Sequence, residues 1–155
     1  MSNKNYWLIK SEPDAFSIDD LKSCPNQTEH WDGIRNYQAR NMMRDQMKIG
    51  DLAFFYHSNA KPPGIVGIAQ VCSEAYPDHT QFDPDSKYYD VKATMDNPRW
   101  MMVDFKFKRK FKRMITLDEL KKIPKLEDTP LLRKGNRLSI MPMSPQAWEI
   151  ILALV

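Results

Sequence analysis

Glycine is scarce in this chain, with 5 in 155 residues, and so are cysteine, with 2, and histidine, with 3. So few glycines leave no room for a phosphate loop or a dinucleotide turn, and neither spacing occurs. Cys24 and Cys72 stand alone, which excludes a disulfide scaffold and fits a reducing compartment. His30, His57 and His79 are scattered without ligand spacing, so no metal and no cofactor is expected. No serine sits in a nucleophile elbow. The last apolar run, residues 150–155, is far too short to span a bilayer, so no membrane partner is expected. Residues 1–6 are polar with no apolar stretch behind them, so the chain reads as lacking a signal peptide and as cytoplasmic. In that setting the Asn26-Gln27-Thr28 glycosylation pattern is a chance match. Neither sign of charge dominates; a net +3 with a pI near 8.8 permits a polyanionic partner without demanding one.

What is present makes one ordinary domain over residues 1–155, taken as a monomer. Residues 6–9 are a β-prone run, ended near Pro13. Ser17 suits the N-cap of a short helix over 18–23. Ala39, Met42, Met43 and Met47 recur at helical spacing and predict a helix over 36–48, stopped by Gly50 and Asp51. Residues 52–56 and 65–71 are continuous apolar runs, as in strands covered on both faces, joined by a loop over 59–64. The polar stretch 76–86 reads as a surface loop and 88–93 as a strand. From 100 to 111 the chain alternates. Val103, Phe105, Phe107 and Phe111 share one parity; Lys106, Lys108, Lys110 and Lys112 share the other. Thr116 to Glu119 form a capping box for a short helix that Pro124 stops. Ser144 and Pro145 open a last helix, whose Trp148, Ile151 and Leu152 share a face. The order predicts an α+β fold, a curved sheet or small barrel edged by helices.

Residues 31–41, Trp-Asp-Gly-Ile-Arg-Asn-Tyr-Gln-Ala-Arg-Asn, follow no core pattern. Trp7 and Trp148 are in phase with apolar neighbours, as core anchors are. Trp31, between His30 and Asp32 and just before Gly33, is instead placed as a stacking platform for a base. Asn36, Arg40 and Arg44 recur every fourth residue, and Arg35 precedes them. Only Glu29, Asp32 and Asp45 lie nearby in sequence, so the stripe reads as an un-neutralised phosphate contact rather than a plain solvated face. Lys106 and Lys108, with Lys110 and Lys112, offer a second phosphate-tracking stripe, although lysines also guard edge strands. Tyr56, His57 and Ser58 end a strand where side chains reach a pocket mouth; Arg99 and Trp100 precede the longest strand. Lys10, Ser11 and Glu12 supply a base, a hydroxyl and a carboxylate, but neighbours in an extended segment point to opposite faces.

Taken together, these segments resemble the EVE domain. The resemblance rests on residues 7–13 (Trp-Leu-Ile-Lys-Ser-Glu-Pro), 31–41 and 55–58 (Phe-Tyr-His-Ser). It continues through 63–67 (Pro-Gly-Ile-Val-Gly), 97–100 (Asn-Pro-Arg-Trp) and 136–142 (Asn-Arg-Leu-Ser-Ile-Met-Pro). It covers about Tyr6 to Leu154 and is similar to the stand-alone bacterial members. The family sits in the PUA-like superfamily beside YTH, SRA and ASCH domains. The resemblance implies a PUA-like pseudo-barrel of mixed strands flanked by helices. It implies a pocket for a modified base, chiefly 5-methyl- or hydroxymethylcytosine, in DNA or RNA, with no cofactor. Carried over residue by residue, that pocket takes in Ser11, Glu12, Pro13, Trp31, Gly33, Ile34, Arg35 and Asn36. Tyr56, His57 and Ser58 form the facing wall, with Arg99 and Trp100 beside it. Ile34 stands where the family often has Val, which preserves an apolar wall. Two other readings compete. Some ASCH relatives hydrolyse a modified cytosine nucleoside, and Lys10, Ser11 and Glu12 offer the required groups. A small-molecule sensor or protein-interaction module is the third.

Overall fold

The structure is a computed structural model, and it describes residues 5–136 and 138–155. Residues 1–4, which open the polar N-terminal stretch, and Arg137 of the 136–142 motif lie outside the described residues.

Strand β1 (Tyr6–Ser11) pairs in parallel with β3 (Leu52–His57), and β4 (Gly64–Val71) runs antiparallel beside β3. The long β7 (Asp104–Thr116) follows β4, and the short β2 (Thr28–His30) forms one edge. Strand β8 (Ile140–Met143) forms the other edge against β1. The six strands, in the order β2-β7-β4-β3-β1-β8, curl into a half-barrel. A separate two-stranded ribbon pairs β5 (Tyr76–Pro77) with β6 (Met101–Met102).

The two-residue period of β1 divides the interior between two cores. Trp7 and Ile9 face a first core with Phe55 and Phe105, under α1 (Ile18–Ser23) and α2 (Tyr37–Asp45). Leu8 faces a second core with Phe54 and Ile115, under α3 (Leu117–Lys121) and α4 (Pro145–Leu152). Strands β3 and β4 serve both cores, which is why their sequences are apolar without alternation. Gly67 lets α1 lie against the sheet: a Cβ there would collide with Ile18 and with the Arg109 carbonyl. The helix starts follow the expected caps. Ser17 and Asp20 close a reciprocal capping box, and the Ser144 side chain accepts from the Ala147 N–H. Thr116 caps α3, while its Glu119 carboxylate turns to Arg113 at 2.8 and 2.9 Å.

Four expectations are corrected. Helix α2 ends at Asp45 rather than at 48, because the Gln46 and Met47 N–H groups both fold back onto the Met42 carbonyl. The stretch 76–86 is no simple surface loop: it holds β5 and a single 3-10 turn, His79–Phe82, with Asp78 and Gln81 fully buried. Residues 88–93 form turns rather than a strand, their N–H groups bonding locally or to the Gln81 carbonyl. The alternation over 100–111 does not stay on one face. Between Ala69 and Ile68, β4 advances one residue while β7 advances two, from Phe107 to Arg109. That bulge reverses parity, so Phe105 enters the first core and Phe111 the second. The single lysine face is split accordingly. Lys110 turns to α1 and bonds Asp19 at 2.8 Å, whereas Lys106 pairs in register with Gln70 on the opposite side.

Candidate functional site

Residues 31–36 connect the edge strand β2 to α2. Trp31 is tied in place by its backbone N–H, which donates to the Val103 carbonyl at 2.8 Å. Gly33 then adopts φ +79°, and a Cβ there would meet the Tyr88 ring at 2.6 Å. A side chain is excluded twice over, by backbone and by space.

The segment is held from below by Asp78, 0% exposed. Its Oδ2 accepts the Gly33 N–H at 2.8 Å and the Arg35 guanidinium at 3.0 Å. Its Oδ1 accepts the Thr80 N–H at 2.8 Å and the Thr80 hydroxyl at 2.5 Å. Burial pushes this carboxyl up, but the Thr80, Gly33 and Arg35 donors outweigh it and hold it below the usual carboxylate range. Arg35 also donates to the Tyr88 carbonyl at 2.8 and 3.1 Å, and its guanidinium lies 5.3 Å from the ring centres of Tyr88 and Trp100. Gln81 completes the frame. Its amide donates to the Asp78 and Trp100 carbonyls and accepts the Arg99 and Trp100 N–H groups, all within 2.7–2.9 Å.

On this frame opens a cleft of about 450 Å³, inside the roughly 300–1,000 Å³ typical of small-ligand sites. Ser11, Glu12, Trp31, Gly33 and Ile34 line it, as does Lys10. Asp32 of the 31–41 motif lines it too, and Phe16, His30, Lys87 and Tyr88 add walls that no motif announces. Trp31 is both wall and core: it is 8% exposed and packs edge-to-face on Phe16, Phe55 and Phe105, with ring centres 5.4–5.9 Å apart. The expectation that Trp31 stands apart from the core is thereby corrected. Burial lowers the Lys10 pKa, and its ammonium lies 5.8 Å from the Tyr56 ring centre.

The other motif residues lie around the cleft rather than in it. Pro13 turns the chain beyond Glu12 and is not among the lining residues. Arg35 faces Asp78, so the local positive potential read from sequence is neutralised by an acid 43 residues away. The Asn36 side chain caps α2 through the Ala39 N–H, and Asn36 borders a different surface depression. Tyr56 belongs to the second core. His57 accepts the Ile18 N–H at 3.2 Å, at the start of α1, and Ser58 donates its N–H to the Ser11 carbonyl. Arg99 and Trp100 both bond Asp90, and Trp100 stacks on Tyr37 with ring centres 4.8 Å apart. Of the expected phosphate contacts, Arg40 donates to the Arg99 carbonyl and Arg44 pairs with its neighbour Asp45. Lys106 and Lys108 are exposed and make no salt bridge among the described residues.

Lys10, Ser11 and Glu12 do meet at the cleft, but not as a hydrolytic set. The Ser11 hydroxyl donates to the Phe16 carbonyl at 2.5 Å, and Glu12 accepts from the Asn59 amide at 3.3 Å. The scattered histidines are also corrected: His30 and His79 meet, with ring centres 5.1 Å apart, beside Asp32.

A curled mixed sheet flanked by helices, with an aromatic-walled cleft, defines a domain of the PUA-like pseudo-barrel class. The chain belongs to the EVE family, whose domain matches residues 5–154. Thymocyte nuclear protein 1 of Mus musculus is 49% identical over 166 residues, 97% of this chain and 73% of that protein. A crystal structure of a Pseudomonas putida protein superposes with a TM-score of 0.92 at 49% identity, covering 96% of this chain and 98% of that one. The human THYN1 protein, in a crystal with DNA containing 5-methylcytosine, superposes with a TM-score of 0.91 at 46% identity, covering 97% of each chain. No helix among the described residues is long and apolar enough to cross a membrane.

Proposed function

We propose that this protein binds DNA carrying a modified cytosine, 5-methyl or hydroxymethyl, and reads the base in the cleft between Trp31, Phe16 and Tyr88. The observation that carries this reading is the cleft itself: rings, a fixed glycine and a few polar groups, on a frame that neighbours the human DNA complex in fold and sequence. A flipped base brings a planar face for the aromatic walls and an exocyclic amine that donates to a carboxylate such as Glu12. Phe16 and Ile34 offer apolar surface to a methyl group. The preference one methyl can produce is roughly 10–200-fold. Phosphate contacts from Lys106, Lys108 and Arg44 supply the sequence-independent grip, and the protein acts as a cytoplasmic monomer, on modified RNA as well where the base is single-stranded.

Fluorescence titration with single- and double-stranded oligonucleotides bearing cytosine, 5-methylcytosine or hydroxymethylcytosine tests this. The wild type is expected to prefer one modified base and release it chemically unchanged. Trp31→Ala and Tyr88→Ala are expected to lose the preference, Tyr88→Ala being the gentler variant because Trp31 is also core. Equal affinity for all three bases in the wild type sinks the reading.

A further inference from the structure

We propose that His30, Asp32 and His79 bind a divalent transition-metal ion of the zinc class at the rim of the cleft. Each offers one ligand atom, and these atoms lie within 4.8 Å of one another, the sole such group of three among the described residues. The ligand set is distinct from the Trp31, Phe16 and Tyr88 rings proposed to hold the base, although His30 and Asp32 border the same cleft, so metal uptake and base preference can be measured separately.

Glu29 orients the first ligand. Its Oε1 lies 2.9 Å from His30 Nδ1 and also accepts the His30 backbone N–H at 2.9 Å. A carboxylate beside Nδ1 favours the tautomer with its proton there and a lone pair on Nε2, the arrangement that orients metal-bound histidines. Nε2 in turn faces Asp32 Oδ2 at 3.8 Å, too far for a hydrogen bond. Two acceptors thus confront each other, and a cation between them resolves the repulsion. With metal–ligand bonds of about 2.0–2.1 Å, tetrahedral geometry sets neighbouring ligand atoms roughly 3.4 Å apart, so the His30–Asp32 pair closes by a few tenths of an ångström and His79 swings in across the remainder of the 4.8 Å span.

His79 is brought to the same point by the buried frame. It opens the 3-10 turn capped by Asp78, whose other oxygen holds Gly33 and Arg35. The residue that fixes the 31–35 segment therefore also seats the third ligand. Two imidazoles and a carboxylate make a three-ligand set with one position left for water or an anionic oxygen from the cleft. The competing account is a protonated His30 bridging Glu29 and Asp32, which requires no metal.

Calorimetric titration of chelator-treated protein with zinc chloride separates the two. The wild type is expected to take up one equivalent. His79→Ala, Asp32→Asn and Glu29→Gln are each expected to weaken uptake at least ~tenfold, with circular dichroism unchanged. Cys24→Ser, which removes the thiol 4.0 Å from Glu29, is expected to bind as the wild type does. Cobalt in place of zinc is expected to absorb in the visible without a thiolate charge-transfer band. The proposal is overturned by absence of stoichiometric uptake. It is equally overturned if His79→Ala and Asp32→Asn bind like the wild type, or if Cys24→Ser abolishes binding.

Discussion

Asp78 is the residue on which the cleft depends most, although it is not itself among the residues that line it. It accepts four donors while fully buried, so its removal leaves the Arg35 charge and the Gly33 N–H without partners. Asp78→Asn is expected to cost about 3–5 kcal/mol in urea denaturation, whereas Asp45→Asn at the solvent-exposed Arg44 pair is expected to leave the urea midpoint almost unmoved. Because its folded carboxyl titrates below the unfolded one, this contribution is complete above the unfolded value near ~3.9 and drains away as pH falls through the folded value. At this scale the sequence reveals residues that carry a local signature. Trp31 beside Gly33, and Ser11-Glu12 after a β-prone run, are found without a structure. Asp78, Gln81 and Tyr88 are not, because their partners lie tens of residues away and nothing in a polar, proline-containing stretch announces burial.

Helix α1 shows how an element's stability is shared with distant chain. Its Ser17–Asp20 box is local and readable, but the Ile18 N–H is satisfied by His57 at the end of β3. Burial lowers the His57 pKa, with Lys110 assisting and Asp19 opposing. Protonation would set a proton against the Ile18 N–H, so the folded state resists it. Below about pH 6.5 the unfolded chain takes up that proton first, and stability is expected to fall until pH passes below the folded value. Urea denaturation between roughly pH 8 and 5 reads this. His57→Gln is expected to flatten part of the decline, and an unchanged slope would assign it to other groups. Periodicity and caps located every element except β2, β8, the small ribbon and the 3-10 turns. The errors fell where regularity breaks. A bulge in β7 turns one apparent face into two, and residues 88–93 find no sheet edge to join.

At the scale of the molecule, the 31–36 segment and the Asp78–Gln81 frame gather one cleft, while Lys106 and Lys108 stand exposed on β7. Affinity for DNA is expected to fall linearly with log salt, by about 0.9 per neutralised phosphate. Lys106→Ala and Lys108→Ala are each expected to lower that slope by about 1 while preserving the base preference. An unchanged slope would shift the grip to other residues, Lys87 at the rim foremost. The fold class and the family motifs are legible from the sequence because local spacing encodes burial, capping and turns. Sequence by itself determined the helix starts, the doubly buried strands and the Trp31–Gly33 wall, each of which depends on neighbours within a few residues. Only the tertiary structure decided that Arg35 is neutralised, that Tyr88 closes the cleft and that His30 meets His79. Each of those follows from the buried carboxylate of Asp78 and the amide of Gln81, whose hydrogen bonds join segments that no sequence period connects.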